Sequence, residues 1–237
     1  MHYLGGKFRQ MKTWAPEIRK YPQNGNGRLV EPFVGAFNTL PNVGAVPAVC
    51  NDIHPGLISM WRAVQRGWEP PDSLDEAQYR ALRDKNDWDD PMTAFAAFGC
   101  SFAGKQWGGY ARGGPSTPKY NAAATTRRSI LKKRPFMAHV EFVHGSYDAL
   151  EIREGDTIYA DPPYVQTTKY SGTETFDRAA FEDWCLFAVG MGAVALASEY
   201  QVHPGWHPVS SVYLPVTAGG GQNIRESQPE HLMEFRP

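Results

Sequence analysis

Apolar positions fall into two patterns along this chain. Short, nearly continuous apolar runs closed by turn residues or acids read as buried strands: Arg28–Gly35, Pro47–Ile53, His139–His144, a run ending at Ala160, and Ala193–Ser198. Between them, apolar residues recur at helical spacing over Trp14–Tyr21, Pro55–Arg66, Leu74–Asp84, Met92–Phe102, Ala123–Arg134 and Asp177–Val189, with Asp177 as the N-cap of the last. Val209–Val216 and His231–Phe235 read as a closing antiparallel pair around a loop at 218–226.

The run Thr157-Ile158-Tyr159-Ala160 stops abruptly at Asp161-Pro162-Pro163-Tyr164. Two prolines fix φ and remove two backbone donors, so the chain leaves the sheet in a rigid extended turn. That turn holds a carboxylate, proline carbonyls and an aromatic face at the carboxyl end of a strand, the edge where open α/β sheets bind ligands. A plain strand-ending turn is the alternative reading of these four residues. The polar stretch Gln166–Phe176 reads as a loop able to close over a bound base.

A second candidate lies nearer the amino terminus. Glu31-Pro32-Phe33-Val34-Gly35 carries the first strand into a glycine turn, and the second strand ends on Asp52-Ile53. Strand, glycine turn, helix, strand and acid in that order suit a nucleotide-type site, where the acid accepts ribose hydroxyls. Phe37 stands where a second glycine is expected, which argues against a pyrophosphate cradle and leaves a nucleoside without phosphates. The alternative makes Asp52 a helix N-cap before Leu57. Leu4-Gly5-Gly6-Lys7 adds a flexible glycine pair and a cation that could meet a carboxylate or phosphate.

Charge changes the picture. The 237 residues have a formal net charge of −1 and 42% hydrophobic composition, an ordinary globular balance. Yet no Asp or Glu lies between Pro91 and Val140, where Lys105, Arg112, Lys119, Arg127, Arg128, Lys132, Lys133 and Arg134 cluster. A basic module in an acidic body suggests a polyanionic partner, against the alternative of a solvated helix face. Around Trp107 and Tyr110, aromatics alternate with glycines and cations, which suits stacking on bases beside phosphate contacts. Three dispersed cysteines suit a reducing compartment and give no zinc or disulfide framework, so no metal is expected. No apolar run is long enough to span a membrane, and the start lacks the shape of a signal peptide.

Together, Leu4-Gly5-Gly6-Lys7, Glu31-Pro32-Phe33-Val34-Gly35, Asn51-Asp52, Asp161-Pro162-Pro163-Tyr164, Phe176-Asp177 through Trp184 and Ser198-Glu199-Tyr200 resemble, in order, the motifs of Dam-like DNA adenine N6-methyltransferases (the D12 class, alpha group), especially phage-encoded ones. The resemblance implies a Rossmann-like α/β sheet, mostly parallel with an antiparallel edge. It implies a catalytic domain over 1–57 and 139–237, with a mainly helical target-recognition domain inserted at 58–138. S-adenosylmethionine would be held by Leu4, Gly5, Gly6, Lys7, Glu31, Pro32, Phe33, Gly35, Asp52, Ile53, Ser146, Tyr147 and Asp161. Asp161, Pro162 and Tyr164 would act on a flipped adenine, and Lys105, Trp107, Tyr110, Arg112, Lys119, Arg127, Arg128, Lys132 and Lys133 would contact double-stranded DNA. The implied setting is the cytoplasm of a bacterial or phage-infected cell, as in restriction-modification. The chain departs from the family pattern at Phe37, where a small residue is usual, and at Ser146, where an acid is usual. Both departures bear on cofactor affinity. Cytosine-N4 methylation is the nearest alternative activity, and a DNA-binding protein without catalysis is the alternative from another class.

Overall fold

A computed structural model of the chain describes residues 1, 3–21, 27–113, 120–163, 176–213 and 229–237. The strands are β1 (Leu29–Glu31), β2 (Ala48–Asp52), β3 (Val140–His144), β4 (Thr157–Ala160), β5 (Val194–Glu199), β6 (Trp206–Val212) and β7 (Glu230–Phe235). They form one sheet in the order β3-β2-β1-β4-β5-β7-β6. Strands β1 to β5 pair in parallel, while β7 runs antiparallel to both β5 and β6. The antiparallel pairing is thus confined to the β7–β6 end of the sheet, as the expected closing pair and antiparallel edge require. The seven-stranded mixed α/β sheet is consistent with a methyltransferase-like fold.

Period-two alternation divides the core into two layers, because successive strand side chains point to opposite faces. Leu29, Ala48, Cys50, Tyr159, Leu196 and Leu232 join one cluster, while Val30, Val49, Ile158, Ala160, Ala195 and Met233 join the other. Burial on both faces explains why these strands read as continuous apolar runs. The first face carries α1 (Met11–Ile18), α2 (Leu40–Val43) and α3 (Pro55–Gln65), and the second carries α7 (Arg178–Gly190).

Between α3 and β3 come α4 (Glu76–Lys85), α5 (Pro91–Ala94) and α6 (Ala122–Leu131). Asp75 starts α4 with a reciprocal capping box to Gln78, and Asn121 caps α6 through Ala124 N. The expected helix at 92–102 is α-helical only to Ala94 and continues as a π-turn over Phe95–Gly99. There Gly99 takes the Thr126 methyl so closely that a Cβ would sit 2.4 Å from it. Phe95, Ala96 and Ile130 belong to the same apolar cluster as the first sheet face, so the described part of this helical segment packs onto the sheet layer. Ile58, the expected start of an insertion, lies inside α3, whose Arg62 and Gln65 bond carbonyls of Phe142, Met137 and Val140 at β3. The helix expected from Trp14 starts at Met11 and contains Pro16, and β6 starts at Trp206 rather than Val209.

Candidate active site

Because β1, β2, β4 and β5 are parallel, Glu31, Asp52, Asp161 and Ser198 come to one edge of the sheet. Antiparallel β7 brings its first residue, Glu230, to that edge as well. Asp161 follows β4 directly, and its Oδ1 accepts Ser198 Oγ at 2.9 Å and lies 2.8 Å from Lys7 Nζ. Lys7 is buried although it belongs to the loop before α1; its Nζ also lies 3.3 Å from Glu230 Oε1 and donates to Gly5 O at 3.0 Å. Gln10 Nε2 donates to Glu230 Oε2 at 2.7 Å, and Tyr159 OH donates to Ser198 Oγ at 3.3 Å.

This cluster sets two carboxylates around one ammonium. Burial by itself disfavours the Lys7 charge, but Asp161 and Glu230 outweigh it and hold the amine protonated. Burial raises Asp161 above the usual carboxylate range, opposed by Lys7. Ser198, Glu230 and Gln10 complete the cluster, and the candidate site residues expected from sequence did not include them. Only Ser198 sat in a motif; nothing in the local sequence around Glu230 marks it, since its place follows from strand direction.

The second group centres on the turn after β1. Gly35 N donates to Asp52 Oδ2 and His54 N to Asp52 Oδ1, each at 2.9 Å. Asp52 is thus a turn clamp; the expectation that it caps α3 is corrected, since His54 is the N-cap and Asp52 only accepts its amide. Burial raises the Asp52 pKa to about 6. Gly35 has φ +43, and a Cβ there would meet the Tyr3 ring at 3.0 Å. Phe37 has φ +52, the left-handed conformation for which glycine was expected. It is held there by burial of its ring 5.7 Å from Trp61 and 5.6 Å from Phe142. Glu31 accepts Thr39 Oγ1 at 2.6 Å in a fully enclosed position, where burial raises its pKa to about 8.

Several features of this edge suit a charged nucleoside such as S-adenosylmethionine. Asn51 Oδ1 is buried without a hydrogen-bond partner among the described residues. Gly5, Gly6 and Ile53 are exposed. Half-buried Phe33 and Tyr147, with ring centroids 5.5 Å apart, form an apolar platform, and Ser146 stands at the start of the turn that carries Tyr147, without a side-chain cap bond. Anionic Asp161 adds complementarity to a cation. Among the described residues no cluster of His, Cys, Asp and Glu could hold a metal, and no helix is long and apolar enough to cross a membrane.

The expected DNA contacts divide. Lys105, Arg112, Arg128 and Lys132 are exposed. Arg112 pairs with Glu76, and Arg127 with Glu69, so acids outside the basic stretch already neutralise part of it. Lys133 corrects the expectation: it is buried, donates to Ala36 O and Asn38 Oδ1, and burial lowers its pKa to about 7. Trp107 and Tyr110 are also corrected as free stacking faces. Trp107 packs on Tyr79 and Trp88, and Tyr110 packs on Tyr79 while donating to Leu74 O at 2.6 Å. Phe102, 71% exposed beside Lys105, offers an aromatic face instead. Tyr164, Lys119 and most of the expected loops at 166–176 and 218–226 lie outside the described residues.

No family model matches the chain. It is similar to the DNA N-6-adenine-methyltransferase of Escherichia phage P1, with 27% identity over 197 residues, covering 72% of this chain and 25% of that protein. The chain thus spans about a quarter of the length of that relative.

Proposed function

We propose that the chain is an S-adenosylmethionine-dependent DNA methyltransferase that methylates the N6 amine of adenine. The observation that carries this reading is the carboxylate of Asp161, fixed by Lys7 and Ser198 at the sheet edge that also bears Gly35 and Asp52. Likeness to a phage adenine methyltransferase supports the choice of base. Leu4 to Lys7, Glu31 to Gly35, Asp52, Ile53, Ser146 and Tyr147 would surround the cofactor, with Asp52 accepting ribose hydroxyls and Phe33 and Tyr147 covering the adenine.

When bound, the cofactor supplies a methyl group on a positively charged sulfur. An exocyclic amine conjugated to a purine is a poor nucleophile because its lone pair is delocalised. Asp161 carboxylate and the Pro162 carbonyl accept its two N–H hydrogens, drawing the nitrogen towards tetrahedral geometry. The cofactor would supply its methyl by in-line displacement from sulfur, and the proton that the methylated amine then sheds would pass to the Asp161 carboxylate or to solvent, so positioning and electrostatics carry the rate. Lys7 and Ser198 share Oδ1 and hold the carboxylate in orientation. The target base leaves the duplex to reach Asp161, and Tyr164 stacks on it, worth about 1–3 kcal/mol. The segment from α4 to α6 serves as the DNA-recognition part, with Arg128, Lys132 and Lys105 on phosphates.

Incubation with unmethylated DNA and S-adenosylmethionine, followed by mass spectrometry of digested nucleosides, tests this. N6-methyladenine is expected, and none with Asp161→Ala. N4-methylcytosine would keep the chemistry and overturn the base; no methylated nucleoside would overturn the enzymatic reading in favour of a DNA-binding protein.

A further inference from the structure

Lys133 follows α6 by two residues, yet it points away from the face that carries Arg128 and Lys132. Its ammonium sits inside the turn after β1, donating to Ala36 O and, at 2.8 Å, to Asn38 Oδ1, with Nζ 5.7 Å from the centre of the Trp61 ring. Trp61 Nε1 in turn donates to Gly35 O at 2.9 Å, so two side chains from outside the turn grip consecutive carbonyls of it. Asn38 extends the grip to the other glycine loop: a Cβ on Gly6 would lie 3.2 Å from Asn38 Nδ2. Glu31 lies near enough to favour the Lys133 charge. A lysine buried for stability alone is a poor choice, since its desolvation disfavours folding unless the contacts it makes are needed.

From this juxtaposition we infer that Lys133 is a positioning residue that couples the cationic helix α6 to the turn at 35–38, so that DNA on α6 and cofactor at the turn strengthen each other's binding. The inference rests on the proposed methyltransferase reading. Phosphates engaging Arg128 and Lys132 fix the end of α6, and the adjacent Lys133 fixes Ala36 and Asn38; the coupling is reciprocal by thermodynamic linkage. Lys133 touches neither DNA nor cofactor in this scheme. Its contribution is to the preorganisation of the turn.

The test is calorimetric binding of S-adenosylhomocysteine, which carries no methyl to transfer, with and without saturating fragments of unmethylated plasmid DNA. For the natural chain, DNA should tighten binding by about five-fold or more. Lys133→Met should bring that ratio close to one, and Lys133→Arg should restore part of it. A merely structural role would weaken binding equally with and without DNA and leave the ratio unchanged. Asn38→Ala, at a half-exposed position, provides a second variant and should also lower the ratio. A natural-chain ratio of one, or ratios unchanged in Lys133→Met and Asn38→Ala, would overturn the coupling. Failure of the natural chain to bind S-adenosylhomocysteine under either condition would instead overturn the methyltransferase reading on which it rests.

Discussion

Lys7 Nζ stands 2.8 Å from Asp161 Oδ1 and 3.3 Å from Glu230 Oε1, joining a loop before the first helix to residues at β4 and β7. Lys7→Met removes the ammonium that, among the described residues, both carboxylates face. Breaking a buried pair on one side costs roughly 3–5 kcal/mol. Urea unfolding should show a loss of that order at pH 8. The deficit should shrink as pH falls, because a carboxyl that takes a proton no longer needs the cation.

Asp161→Ala is expected to abolish methyl transfer while DNA affinity stays within about two-fold, since the cationic surface lies on other elements. Fluorescence anisotropy with a labelled duplex checks the second half. A parallel loss of affinity would assign Asp161 to binding rather than chemistry.

Charge reversal separates the exposed cations. Arg128→Glu and Lys132→Glu should each weaken binding on all sequences and reduce the logarithmic salt slope by about 1. Arg127→Glu should change the slope less, because its guanidinium already faces Glu69 and the Pro70 carbonyl. Equal slopes for all three and the natural chain would make the basic stretch a solvated surface.

Glu31 gives a pH signature. Burial raises its folded pKa to about 8 from an ordinary 4.5, so the native state holds a proton that the unfolded chain has lost. Stability from this group is therefore full below pH 4.5 and is lost as pH rises towards 8. Relative to Glu31→Gln, the natural chain should lose stability across that window, with a slope of at most about 1.4 kcal/mol per pH unit. The buried Lys133 opposes this trend, since an ionised Glu31 is a favourable neighbour for its charge and burial holds its own pKa down at about 7. Thermal or urea unfolding of both proteins from pH 5 to 8.5 checks this; a constant difference would mean that Glu31 is ionised throughout.

Strands, most helices and the two acids that end β2 and β4 were legible because they depend on local order. Alternation of apolar faces, the cap at Asp177 and the paired prolines act over a few residues, and local physics is written in local sequence. Phe37 stood out in the sequence as a departure from the expected glycine, but its left-handed φ is a finding of the structure.

Tertiary structure decided the rest. Strand direction alone brings Glu230 to the edge where Asp161 ends β4, because one antiparallel strand reverses which of its ends faces the site. Helical phase at the end of α6 turns Lys133 inward while its neighbour Lys132 stays exposed, though the two are identical in a list of cations. Packing consumes Trp107 and Tyr110, which composition alone offered to a ligand, and leaves Phe102 in the open. The sequence by itself determined which residues could do chemistry and where each strand would stop. Which of them share a charge depended on contacts between residues more than a hundred positions apart, and which face solvent on contacts tens of positions apart, and no local pattern encodes either.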